Sequence, residues 1–156
     1  MTGQPFRADM LMELVQLLRD EHPTKSIPKN DHFDMHTYLS FYGKGADPTL
    51  CGTHACAMGW ATMLLPKFKN RYQFLGQCLY ARDINGNERI TPDHNAPLGI
   101  TYFEYAHLFL PGDWEYHGKF SRRGVAREIE KFVKRKIKEC AKTGQKVKMP
   151  AEGVMA

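Results

Sequence analysis

The apolar residues of the first stretch, residues 7–21, recur at helical spacing: Leu11, Leu14, Val15 and Leu18 stand at i, i+3, i+4 and i+7. That spacing gathers them on one face of a helix. His22-Pro23 is expected to end it, because the residue before a proline avoids helical geometry. Residues 23–32 read as a polar loop with two prolines. Residues 33–39 have apolar positions on both parities, and suit either a short helix or an extended piece. Gly43, Gly45 and Pro48 mark a loop leading to Cys51. Thr53 then has the chemistry of an N-cap, since its hydroxyl can accept from a free first-turn N–H. Beyond it Ala57, Trp60, Ala61 and Leu64 repeat the helical spacing up to Pro66, with so little polar surface that this helix is expected to be central and buried.

The pattern changes over residues 77–90. Asn85-Gly86 between Leu79-Tyr80-Ala81 and Arg89-Ile90 predicts a type I′ β-hairpin, the one piece of β-structure expected. Thr101-Tyr-Phe-Glu104 has the form of a capping box opening a helix, with Ile100 placed to staple onto Tyr105 and Pro111-Gly112 to close it. A last, long helix is predicted over residues 123–143. Its apolar stripe is Val125, Ile129, Phe132, Val133, Ile137 and Cys140, and Gly144 stops it. The fold class expected is therefore mainly α (α+β): about five helices and one small β-hairpin in a single domain over residues 1–143. Residues 144–156 are expected to form a loose tail.

Composition adds limits. A chain of 156 residues suits one domain, and 42% hydrophobic with 25% charged residues is the balance of a folded protein. No apolar run approaches the roughly 18 residues of a membrane span. The first residues lack the apolar stretch of a signal peptide, so the cytoplasm is the expected location. The four cysteines, Cys51, Cys56, Cys78 and Cys140, are too scattered for a disulfide scaffold.

Charge changes the picture more. The net +5 conceals an asymmetry: residues 119–148 hold twelve basic residues against three acidic ones, a net +9, which leaves −4 for the rest. Arg123, Arg127, Lys131, Lys134, Arg135 and Lys138 would make a basic face on the last helix. Such a face calls for an anionic partner: a nucleic acid, an acidic protein surface or a phosphorylated ligand.

The most distinctive run is Cys51-Gly-Thr-His-Ala-Cys-Ala-Met-Gly-Trp-Ala61. It resembles the signature "CGT, two residues, C, two residues, G-aromatic-A" of a family of small, mostly uncharacterised proteins common in phage and prophage genomes. Phe33-Asp34-Met35 and Leu98-Gly99-Ile100-Thr101 with Leu108-Phe109 resemble its flanking elements. The resemblance covers residues 33–114 and implies a phage or mobile-element origin, hence a host cytoplasm, and a mixed, mainly helical fold. It brings no settled reaction, so no functional residue follows from it.

Read chemically, the run admits four roles. Cys51, with Cys56 as the alternative, would be a thiolate nucleophile at a helix N-terminus, with His54, His94 or His107 as base. Cys51, His54 and Cys56 would be zinc ligands, although the spacing is no standard knuckle. A Cys51–Cys56 disulfide is disfavoured by a reducing compartment. Packing as small apolar side chains is the preferred role. His32 and His36 share the i, i+4 spacing of a helical metal pair, but Phe33 stands where a zinc-protease motif needs its glutamate. Asp83-Ile-Asn-Gly-Asn87 lacks the glycine and glutamate positions of a calcium loop. No metal or cofactor is expected. Aromatics from Tyr102 to Phe120 abut the basic segment and suit either base stacking or a core. The leading expectation is a non-enzymatic, phage-type accessory protein that binds a host macromolecule or anionic ligand through the basic helix. A cysteine-dependent enzyme centred on Cys51, a nucleic-acid-binding protein and an oligomer joined around Trp114 stand as alternatives.

Overall fold

The N-terminal apolar stripe forms helix α1, Ala8–Leu18, in a computed structural model that describes residues 4–28, 32–33, 54–75, 78–82, 90–109, 121–151 and 153–154. The helix stops before His22-Pro23. Arg19 caps it and Asp20 turns the chain at φ 60, a left-handed conformation that aspartate tolerates better than most residues. The proline is therefore not the stop.

β1, His32–Phe33, is extended and pairs in parallel with β2, His54–Ala55. This pairing corrects the start of the central helix. With residues 54–55 held in a ladder, helix α2, Ala57–Leu64, begins only at Cys56, whose extended backbone makes it the N-cap. Thr53, the expected cap, lies outside the described residues, as do Cys51 and Gly52. The expected end holds: Leu65 is extended before Pro66, which itself opens the one-turn helix α3, Pro66–Lys69.

The β-structure is larger than a single hairpin. β3 (Tyr72–Leu75), β4 (Cys78–Arg82) and β5 (Ile90–Thr91) form an antiparallel sheet in that order. β4 and β5 are the two arms expected. Their register sets Ala81 opposite Thr91, however, where a two-residue turn at Asn85-Gly86 would set it opposite Ile90. Asn85 and Gly86 are outside the described residues. β3 went unexpected because its residues run from buried Tyr72 through half-buried Gln73 and Phe74 to exposed Leu75, without alternation. Its register sets Leu75 opposite Cys78, and Gly76 and Gln77 are outside the described residues.

A 3₁₀ turn, Ala96–Leu98, ends at Gly99 and leads into helix α4, Tyr102–Phe109. The capping box is formed: the Thr101 N–H donates to Glu104 Oε1 at 2.8 Å, and the Glu104 N–H to Thr101 Oγ1 at 3.1 Å. Helix α5, Arg122–Thr143, starts on Ser121, whose hydroxyl accepts from the Gly124 N–H at 3.1 Å, and ends on Gly144 at φ 81. The protein is mainly α, with five α-helices and the small sheet among the described residues.

α1 and α5 form the principal helix pair. Leu11, Leu14 and Leu18 meet the Val125, Ile129 and Phe132 stripe in one core, with Trp60, Phe68 and Tyr72 behind. The expected loose tail is pinned at least as far as Lys148. Phe6 and Val147 form a parallel bridge, through Phe6 N–H to Lys146 O and Lys148 N–H to Phe6 O, both 2.8 Å. The Asp9 N–H donates to Lys148 O at 3.0 Å, giving a first-turn helix donor the acceptor it needs. Gln145 Nε2 ties the junction by donating to Gln4 O and Gly99 O.

Candidate functional site

Helix α5 has two unlike faces. Val125, Ile129, Phe132, Val133 and Cys140 are buried, as their spacing predicts. At about 100° per residue, Arg123, Arg127, Lys131, Lys134, Arg135, Lys138 and Lys142 fall within an arc of about 120° on the opposite side. All seven are exposed. Lys142 belongs with the six expected cations, and the same helical arithmetic finds it. From 123 to 142 the row is about 29 Å long, with neighbouring charges one turn apart.

Two carboxylates border the row. Glu130 accepts from Arg19 and, at 3.1 Å, from Lys134. Burial pushes the Glu130 pKa up, but those two cations outweigh it and the carboxyl ends below its ordinary value. Glu128 lies 3.8 Å from Lys131. Arg135 lies over the Phe132 ring, 5.7 Å from its centre. Among the described residues Arg123, Arg127, Lys138 and Lys142 have no ion pair.

Lys136 is the exception on this helix. It falls within the apolar stripe and is 6% exposed. Its ammonium sits 3.0 Å from Glu104 Oε2 and 3.5 Å from Glu139 Oε1. Burial works against its charge, yet the Glu104 hydrogen bond and the two carboxylates raise its pKa above the ordinary lysine value. The glutamate that closes the α4 capping box thus also holds α4 to α5. Asp9 is a second buried charge. Arg7 grips it with two N–H groups at 2.9 and 3.0 Å and Lys67 reaches it at 3.2 Å. Burial raises its pKa, but Arg7 and Lys67 prevail and leave it below the usual carboxylate value.

A cavity of about 550 Å³ opens where the chain's two ends meet the α4 cap, lined by Gln4, Asn95, Gly99, Thr101, Lys136 and Gly144 among others. Two of its side-chain amides serve the protein itself: Gln145 as above, and Asn95 Nδ2 in a 2.9 Å bond to Ile100 O.

The cysteine-centred candidates are not assembled into a site among the described residues. Cys51 lies outside them. His54 stands in β2, opposite His32 of β1. Cys56 is 2% exposed, and its carbonyl accepts the first bond of α2 from the Trp60 N–H at 2.9 Å. Because His32 is in a strand, the helical His32–His36 pairing is not made there, and His36 is outside the described residues. No three His, Cys, Asp or Glu among the described residues converge as a metal site. The Cys140 thiol is pushed up by burial, and stays protonated at neutral pH. Trp60, at the end of the motif, buries its indole N–H with no acceptor among the described residues. His94 is a satisfied histidine: its ring stacks on Tyr105 at 5.3 Å and Nε2 lies 2.5 Å from Leu79 O. Of the aromatic stretch, Tyr105 and Phe109 are core, whereas Tyr102 and Phe103 are 56% and 83% exposed. Trp114 is outside the described residues.

No helix among the described residues is long and apolar enough to cross a membrane. No protein-family model, curated protein or solved structure matches the chain.

Proposed function

We propose that the protein is a non-enzymatic accessory protein that holds an anionic macromolecule against the outer face of α5. The resemblance of the cysteine motif implies only a phage or mobile-element origin, and a phage-type protein that acts on a host macromolecule would have use for such a face. The observation that carries this reading is the row itself: seven exposed cations in one arc, four of them without an ion pair among the described residues. Like charges one turn apart weaken a helix by a few tenths of a kcal/mol per pair, roughly 0.2–0.5. The row is thus a cost to the fold, and binding is the role that accounts for it.

Retention on immobilised heparin tests the reading against a control of equal charge change. The variant Arg127→Glu/Lys138→Glu/Lys142→Glu should elute at far lower salt than the wild type. Lys25→Glu/Lys69→Glu/Arg82→Glu alters exposed cations elsewhere and should elute only slightly earlier. Equal shifts for the two variants would overturn the proposal, because retention would then follow net charge and not the α5 face.

A further inference from the structure

We infer that the partner of this face is the phosphodiester backbone of duplex nucleic acid, gripped without regard to base sequence. The inference rests on the proposed function and narrows it through what the arc contains and what it lacks. Besides the seven cations, helical arithmetic places only Gly124 and Ala141 in the arc. It therefore holds no aromatic or long apolar side chain.

That composition decides among anionic partners. A protein interface takes most of its affinity from aromatic and apolar anchors in its centre, and the arc offers none. A membrane-surface helix must present its apolar side to the lipid, but the apolar side of α5 is already buried against α1. Single-stranded nucleic acid is held by bases stacking on aromatic platforms beside the charges. Phe132 is buried beneath Arg135. The exposed pair Tyr102 and Phe103 belongs to α4, which meets α5 through Lys136. Lys136 lies about 160° around the helix from the middle of the arc, so among the described residues the exposed aromatics and the charges face different ways. A duplex needs neither anchors nor platforms. It presents a negative charge for every 1.7 Å of axis, roughly, and its major groove is about as wide as an α-helix. The row of about 29 Å can meet a succession of phosphates, and cations at the two edges of the arc can reach opposite strands. The arc has no Asn, Gln, Ser or Thr to add to base reading, so phosphate contacts dominate and sequence matters little.

Fluorescence anisotropy of the full chain with two labelled duplexes of unrelated sequence tests this, with a single strand and poly-glutamate as further arms. Both duplexes should bind within about twofold of each other, and more tightly than the single strand. With five to seven phosphates neutralised, log affinity should fall against log salt with a slope of about −4 to −6. Between 50 and 200 mM salt that is a loss of roughly three orders of magnitude. Arg127→Glu/Lys138→Glu/Lys142→Glu should bind duplex at least tenfold more weakly and flatten the slope by about 2 to 3. If that variant loses helix content, Lys138→Gln and Lys142→Gln taken singly should each flatten it by about 1. Heparin retention without duplex binding overturns the inference and leaves the proposed function standing. Loss of both defeats both. Tighter binding of the single strand or of poly-glutamate also overturns it, and moves the partner to the class that binds.

Discussion

Two glycines at the cavity invite a paired substitution, because they share a backbone conformation and differ in surroundings. Gly99 has φ 68 and Gly144 has φ 81. A left-handed backbone costs a residue bearing a Cβ about 1–2 kcal/mol. At Gly144 an added Cβ would meet nothing within 4 Å, so Gly144→Ala should cost only that conformational amount. At Gly99 the same Cβ would lie 2.0 Å from the Pro5 carbonyl oxygen and 2.9 Å from the Phe6 Cα. Backbone must yield, and this backbone is fastened. Phe6 exchanges two hydrogen bonds with Lys146 and Lys148, and the Arg7 N–H donates to Leu98 O at 2.9 Å. Losing these three at about 1 kcal/mol each adds about 3 to the conformational cost. Gly99→Ala should therefore lose about 4–5 kcal/mol, a large share of the 5–15 typical of a domain. Urea unfolding followed by circular dichroism measures both variants. Equal losses would refute the reasoning, since they would mean that the N-terminal segment is not seated on Gly99.

Other substitutions address the buried polar groups. Asp9 has a lowered carboxyl pKa in the folded protein. Its stabilising contribution is therefore present above the ordinary value of about 3.9 and is lost as pH falls through the lowered one. Urea midpoints measured from pH 7 to pH 3 should fall less steeply for Asp9→Asn than for the wild type, and parallel curves count against the Arg7–Asp9–Lys67 cluster. Lys136→Met strands Glu104 in a half-buried site and should cost about 2–4 kcal/mol, much of it regained in Lys136→Met/Glu104→Gln; a double variant as unstable as the single would contradict this. Trp60→Phe removes a donor that has no acceptor among the described residues. It should cost less than about 2 kcal/mol, against about 3–5 for Trp60→Ala, and similar losses for the two would place the indole N–H in a bond.

What could be read ahead of the structure follows from the range of the forces involved. The Thr101–Glu104 box and the Val125-to-Cys140 stripe with its Gly144 stop are local, and each formed where its residues said. The basic face was legible for the same reason, since helical arithmetic needs no partner. The start of α2 was not. Thr53 has the better cap chemistry, but residues 54–55 pair with a strand 22 positions upstream, and that ladder delays the helix to Cys56. The docking of residues 145–148 depends in the same way on Phe6 and Asp9 at the far end of the chain. Lys136 divides between the two cases. Its place within the apolar stripe can be counted from Phe132 and Cys140, but its partner comes from a capping box 32 residues away.

The two faces of α5 are also linked energetically. On the inner face one cation is matched by two carboxylates, while on the outer face, among the described residues, seven cations have only Glu128 and Glu130 beside them. Seven like-charge pairs stand three or four residues apart along the row, at roughly 0.2–0.5 kcal/mol each, so the outer face costs the helix about 1.4–3.5 kcal/mol. The helix persists because Ile129, Phe132 and Val133 are buried and because Ser121 and Gly144 satisfy its ends. A partner that neutralises the row removes the repulsion in addition to contributing its own contacts. It must therefore stabilise the folded chain, since the unfolded chain offers no ordered row to bind. Thermal unfolding in low salt should accordingly shift upward when duplex nucleic acid is added. The shift should be absent in Arg127→Glu/Lys138→Glu/Lys142→Glu, which has less repulsion to relieve. A wild-type midpoint unmoved by saturating duplex would break the link between the two faces.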